Sequence, residues 1–251
     1  MIKFTRKKRE KGSKERMSQN NPRRAGKIQM SEAIPTGMFL TLSGGFQDAY
    51  TYFSRGNVFA NAQTGNIVLL GTHMANREWG LAMRYLAPVL AFVAGVYVAE
   101  HIRRVYKDRT DCFLHWRQIV VAIEIVVLFA VGFMPETMNM AANILVSFVC
   151  SMQVNAFRKI KGSPYASTMC IGNLRNATAS FYAYRHSKDK KILDKCLRYY
   201  IVIIIFALGA TLGSVLTERF GVKTIWFSCA MLLVSFLIMF VHEQIEEEGE
   251  L

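Results

Sequence analysis

Three stretches of the chain, residues 138–157, 199–217 and 224–241, run for 18 to 20 residues without a charge. At about 1.5 Å of rise per residue, each is long enough as a helix to cross the roughly 30 Å hydrocarbon core of a bilayer. A helix of that length on a soluble protein carries a polar stripe, and these carry none. Five further apolar segments complete the pattern. Residues 33–53 are interrupted by Gly44, Gly45 and Asp48, residues 58–74 contain Thr64-Gly65-Asn66, and residues 85–102 have Glu100 and His101 at their far edge. Residues 119–134 contain Glu124, and residues 165–184 contain Gly172-Asn173 and Arg175. The pattern predicts an all-α integral membrane protein.

The segments repeat. Asp48-Ala49-Tyr50 falls on Asn155-Ala156-Phe157 at an offset of 107, and the same offset carries Gly65-Asn66 onto Gly172-Asn173 without a gap. The third and seventh segments match at 114, where Phe92-x-x-Gly95 meets Phe206-x-x-Gly209. Four segments matching in order point to a duplicated unit of about 107 residues. The expected organisation is a basic tail (1–31), a first membrane repeat (32–136), a second (137–242) and an acidic tail (243–251).

Charge sets the topology. Residues 1–30, 103–117, 158–161 and 185–198 hold 25 of the 31 Lys and Arg, and basic connections mark the cytoplasmic side. Eight full crossings would put two of these stretches outside. If 58–74 and 165–184 enter the membrane and return on the same side, all four lie inside. The expectation is then six transmembrane helices plus two short re-entrant half-helices. Both termini are cytoplasmic, and two three-span halves form inverted repeats, a plan found in secondary transporters. Thr64, Asn66 and Asn173 are candidate caps for half-helices that begin at depth.

The net charge of +13 raises nucleic-acid binding as an alternative. Residues 1–30, with eleven Lys or Arg against two Glu, carry most of that excess and offer only Phe4 for stacking on bases. A disordered cytosolic tail near anionic lipid headgroups accounts for it, with no nucleic-acid partner. The basic stretch is too long for the n-region of a secretory signal. Cys112, Cys150, Cys170, Cys196 and Cys229 are scattered, without metal or disulfide spacing, and the five histidines show no ligand pattern. No nucleophile motif, HExxH or phosphate-binding glycine loop is present. The expectation is a protein that is not an enzyme and carries no metal or cofactor.

Gly44-Gly45-Phe46-Gln47-Asp48-Ala49, Phe59-Ala60-Asn61-Ala62-Gln63-Thr64-Gly65-Asn66 and Gly172-Asn173-Leu174 together resemble the YoaK family, small six-helix membrane proteins of bacteria. The resemblance covers roughly residues 32–242 and leaves the basic tail outside. It implies a bacterial inner-membrane location and a small-molecule transport role without naming a substrate. The second half has Ile171 where Thr64 precedes Gly-Asn in the first.

Several residues carry candidate chemistry. Asp48 is a carboxylate inside a span, where acids face a cavity or a partner. It reads either as a proton or cation coupling group or as a structural acid tied to backbone amides at a helix break. Its repeat mate Asn155 cannot titrate. Glu124 is a candidate for a buried ion pair with Arg175. Gln47, Gln63, Asn66, Asn155 and Asn173, with Thr64, form a polar set that holds a substrate or ion, or cross-links helices. Gly95, with Ala99, and Gly209, with Gly213, form small-residue faces for close helix packing, within a chain or in a homo-oligomer. Pro88 either kinks the third segment or sits in its first turn.

These features predict a transporter of a small molecule or ion, coupled to a proton or cation. The alternatives are a channel whose two hairpins meet as a filter, and a membrane scaffold or sensor acting through the basic tail.

Overall fold

The computed structural model describes residues 34–107, 115–160 and 163–248. The basic tail lies outside them. Eight α-helices are present among the described residues: α1 (Ile34–Ser54), α2 (Gln63–Ala75), α3 (Trp79–Tyr106), α4 (Trp116–Val131), α5 (Asn139–Ala156), α6 (Cys170–Ser187), α7 (Lys190–Phe220) and α8 (Ile225–Glu248). One helix thus arises from each apolar segment. Single 3₁₀ turns precede α5 and α8, and a ribbon of two-residue strands pairs Lys159 with Pro164.

The helix ends follow local chemistry more than apolar content. α7 starts nine residues before its apolar run because the Asp189 carboxylate caps it, accepting from the Lys191 amide at 2.9 Å. His115 and Gln118 form a reciprocal capping box at the start of α4. α3 begins at Trp79, so Pro88 stands in the helix interior and not in its first turn. The α8 backbone continues through the residues expected as an acidic tail, as far as Glu248.

The helices exchange partners in a regular way. α1 packs along α7 and against α8, α5 packs along α3 and against α4, α2 lies on α3, α6 lies on α7, and α4 meets α8. Gly45 and Gly209 bring α1 and α7 together. A Cβ on Gly45 would lie 2.1 Å from the Phe206 carbonyl oxygen, and one on Gly209 would lie 2.1 Å from that of Leu42. α1 is therefore unbroken, and its Gly-Gly pair serves close approach. Gly95 does the same between α3 and α5, where a Cβ would lie 2.2 Å from the Phe148 carbonyl oxygen. These small-residue faces are spent on contacts within the chain.

The distribution of side chains is inverted relative to a soluble protein. Thr41, Ser43, Gln47, Asn143, Ser147, Ser151 and Ser228 are buried, while Tyr97, Val126 and Val93 are 76%, 68% and 62% exposed. An apolar exterior around a polar interior suits a hydrocarbon solvent, in which polar groups are satisfied inside the protein. Among the described residues three helical stretches are long and apolar enough to cross a membrane: Trp79–Tyr106, Glu136–Ala156 and Lys190–Phe240, the last holding α7 and most of α8. The chain is a helical membrane protein.

Candidate functional site

Two irregular segments enter the interior, residues 55–62 ahead of α2 and 165–169 ahead of α6. Backbone without regular pairing is tolerated there only if side chains satisfy it, and they do. Asn66 donates from Nδ2 to the Phe59 carbonyl at 2.8 Å and accepts the Phe59 amide at 3.1 Å. Asn173 donates to the Ala166 carbonyl at 2.7 Å and accepts the Ala166 amide at 3.4 Å. The two clamps are the same motif, each reaching seven residues back, 107 positions apart. Around the first segment, Asn143 holds the Arg55 carbonyl at 2.8 Å, and Ser147 and Gln63 hold that of Ala60 at 3.0 and 2.8 Å. Around the second, Gln153 donates to the Ser167 hydroxyl at 3.2 Å, and the Tyr199 hydroxyl donates to the Pro164 carbonyl at 2.7 Å.

The clamp corrects the expected capping role. The N-caps are Ala62 for α2 and Met169 for α6, neither of which supplies a side-chain cap. Thr64, Asn66 and Asn173 lie in the first helical turn, and the two asparagines turn back to the chain ahead of each helix instead. Asp48 stands just ahead of α2, where its carboxylate faces the amides of Ala60, Asn61 and Ala62 and accepts from Asn61 at 2.7 Å. A carboxylate at a helix N-terminus meets both unpaired amides and the positive end of the helix dipole.

Between the two helix starts lies a cavity of about 960 Å³. α1 contributes Asp48 and Tyr52, α3 contributes Phe92, α7 contributes Phe206, and the two segments with the helix starts contribute Phe59, Asn61, Gln63 and Thr64 on one side and Tyr165, Thr168, Cys170 and Asn173 on the other. Its walls are mostly apolar, with the polar groups gathered near the helix starts. Among the residues predicted from sequence, Asp48, Gln63, Thr64 and Asn173 line this cavity. Asn66 stands behind it, bonded also to Gln63 at 2.9 Å.

Gln47 and Asn155 lie elsewhere. Gln47 is fully buried where four helices meet, its Nε2 within hydrogen-bond distance of Ser43, Glu124 and Ser228 at 2.9, 3.1 and 3.0 Å and its Oε1 accepting from the Cys150 thiol. Asn155 donates to Glu100 at 3.2 Å and contacts Arg158, which also binds Glu100. Glu124 and Arg175 do not pair. α4 packs against α5 and α8, whereas α6 packs on α7, so the two helices are not neighbours; Glu124 is buried against Gln47 and Arg175 is exposed.

Sequence reasoning also missed Arg55, which is fully buried at the end of α1. It donates to the Val131 and Pro135 carbonyls at 3.0 and 3.2 Å and to Asn139 and the Tyr50 hydroxyl at 3.1 and 2.8 Å. It thereby closes the C-terminal end of α4. Its position just past an apolar segment made it look like a loop residue. Among the described residues no group of His, Cys, Asp and Glu has the composition of a metal site, and Cys150, Cys170, Cys196 and Cys229 are free thiols.

The model of the DUF1275 family, proteins of unknown function, matches residues 36–238. The chain belongs to this family. It is also 26% identical over 197 residues to the UPF0700 transmembrane protein YoaK of Bacillus subtilis (strain 168), covering 74% of this chain and 85% of that protein. No solved structure matches the chain. The family region takes in both asparagine clamps, Asp48 and the whole cavity, and leaves out the basic tail.

Proposed function

We propose that this chain is a secondary transporter of a small solute with a largely apolar body, held in the cavity between the starts of α2 and α6. The cavity carries the reading. Its volume of about 960 Å³ is in the range of small-molecule sites, and its rim is open at Phe53, Val93 and Ile171, which are exposed. Broken helices whose N-termini face a central site are a recurring means of holding polar groups within a membrane.

On this reading α1, α3, α4, α5, α7 and α8 are six spans, and α2 and α6 are re-entrant half-helices of an inverted repeat. The matched Asn66 and Asn173 clamps support the repeat, as does the exchange of partners that pairs α1 with α7 and α5 with α3. Helix α2, of 13 residues, would rise about 20 Å, short of a bilayer core of about 30 Å. The basic stretches place both termini in the cytoplasm of a bacterial cell, with the protein in its inner membrane. Asp48 couples solute movement to an ion.

The test is thermal unfolding of purified protein, wild type beside Asp48→Asn, across metabolites with apolar bodies, followed by uptake into proteoliposomes. A ligand of the folded state raises the midpoint by mass action. A saturable shift with one solute class, and uptake that loses its ion dependence in Asp48→Asn, is the expected result. Cooperative unfolding with no solute response would count against a transporter.

A further inference from the structure

Asp48 has more around it than the amides that precede α2. Gly44 lies one helical turn before it on α1, and two residues from opposite segments close over that turn. Asn61, from the first segment, donates its Nδ2 to the Gly44 carbonyl at 3.3 Å. Thr168, from the second, packs so tightly that a Cβ on Gly44 would lie 2.5 Å from its methyl carbon, with the Ser167 carbonyl oxygen 3.8 Å away. Asn61 and Thr168 are 3% and 6% exposed, and both line the cavity into which Asp48 opens. Neither the Asn61 Oδ1 nor the Thr168 Oγ1 has a hydrogen-bond partner.

Two buried oxygens left unpartnered, on residues that meet α1 within one turn of Asp48, are costly unless a water or a cation meets them. The donors are all oxygen, which selects a hard cation. One carboxylate gives a single negative charge. A divalent ion buried there would keep an uncompensated positive charge, and calcium sites draw six to eight oxygens, commonly from several acids. We infer that Asp48, Asn61 and Thr168 form a sodium-class monovalent cation site that bridges the two irregular segments. The inference deepens the transport reading and rests on it for the ion's role as coupling ion; binding itself stands independently.

The bridging position gives the ion work to do. Asn61 precedes α2 and Thr168 precedes α6, so a cation shared between them draws both helix starts toward α1 and sets the walls that a solute meets. Because the ion needs both segments in place, it binds the folded, closed arrangement and stabilises it by mass action.

The experiment is thermal unfolding of the full-length protein, titrated with NaCl, KCl, NH₄Cl or choline chloride at constant ionic strength and at several pH values. The expected result is a saturable rise of the midpoint with sodium, absent with choline and abolished in Asp48→Asn. Thr168→Val keeps the shape that fills the space at Gly44 but removes the oxygen, while Thr168→Ser keeps the oxygen. Loss of even an outer partner of a bound metal weakens it about 10- to 100-fold, so Thr168→Val should raise the half-saturating sodium at least about tenfold and Thr168→Ser much less. That pair decides the matter if Asp48→Asn does not fold. Equal responses to all four salts, a response to ammonium alone, or a sodium response undiminished in Thr168→Val would overturn the site. A solute shift without any sodium response sinks the cation site and leaves the transporter. A sodium response without any solute shift does the reverse.

Discussion

Replacing Asn66 by Ala and Asn173 by Ala should damage the protein to similar extents, because the two side chains do the same task in the two halves. Each is nearly or fully buried, and each makes a donor and an acceptor bond to one backbone unit seven residues earlier. Truncation leaves an N–H and a C=O without partners in each case. A buried unsatisfied group costs about 1–3 kcal/mol, so two give roughly 2–6 kcal/mol. Phe59 and Ala166 are only partly buried, and water reaching them brings the expectation to about 2–4 kcal/mol. Asn66 should fall at the upper end, since it also bonds Gln63. Asn66→Asp keeps the acceptor for the Phe59 amide but loses the donor, and should fall between. The assay is the unfolding midpoint in detergent, with a cysteine placed at Thr64 or Ile171 to report labelling of each helix start. If one variant is strongly destabilised and its counterpart is indistinguishable from wild type, the two helix starts are not equivalent structures, and the case for a repeated scaffold fails.

Gly209→Ala puts a methyl 2.1 Å from the Leu42 carbonyl oxygen, against backbone that has no rotamer to yield, whereas Gly71→Ala meets nothing within 4 Å. The first should lose about 1–3 kcal/mol by overpacking and the second should gain up to about 1 kcal/mol of helix propensity; equal midpoints would mean that α1 and α7 do not cross at Gly209. Arg55→Met fills the space but removes the guanidinium bonds to Val131, Pro135, Asn139 and Tyr50, while the Met134 and Met138 amides still meet the two carbonyls; it should cost about 1–3 kcal/mol, read as a lower midpoint with membrane insertion unchanged. At the start of α4, burial and then the neighbouring Arg117 charge hold the His115 imidazole down at about 4, from an ordinary 6.5. Between those values the unfolded chain takes up a proton that the folded chain refuses, so stability falls as pH drops from 6.5 towards 4. His115→Asn keeps an acceptor for the Arg117 amide without a titrating group; the midpoint's acid slope should flatten over that window, and identical profiles would remove His115 as the cause.

The existence of all eight helices was legible because each rests on a run of apolar residues long enough to outweigh the few polar residues and glycines within it. Their ends were not. α3 and α7 extend well ahead of their apolar runs, α3 from Trp79 and α7 from Lys190 behind the capping Asp189. The cavity was partly legible, since Asp48, Gln63, Thr64 and Asn173 stand beside glycines in the repeated segments. Their roles were harder to read. A side chain that reaches back seven residues, or a carboxylate that meets an amide thirteen residues on, leaves no periodic trace in sequence. Glu124 was matched with Arg175 because cations are scarce in the apolar segments. The partner it has is an uncharged amide, Gln47, on a helix far away in sequence. Thr168, alone in its segment without a repeat mate of the same type, gave no signal at all.

The proposed repeat keeps its scaffolding and lets its chemistry diverge, and the reason is visible at positions 48 and 155. After Asp48 the chain loops back so that the amide of Asn61 meets the carboxylate. After Asn155 it instead turns through Arg158 into the short Lys159–Ile160 ribbon, and Asn155 is drawn to Glu100 and Arg158 at the edge of the bundle. One half therefore delivers a negative charge to the shared cavity and the other delivers none. A perfectly repeated pair would place two carboxylates on either side of one cavity, where their repulsion in a medium of low dielectric would keep one protonated. The divergence leaves a single charge facing a pair of helix starts. On the transport reading, such a site would take one cation and a solute together, and its two faces differ in charge while sharing the same asparagine clamp.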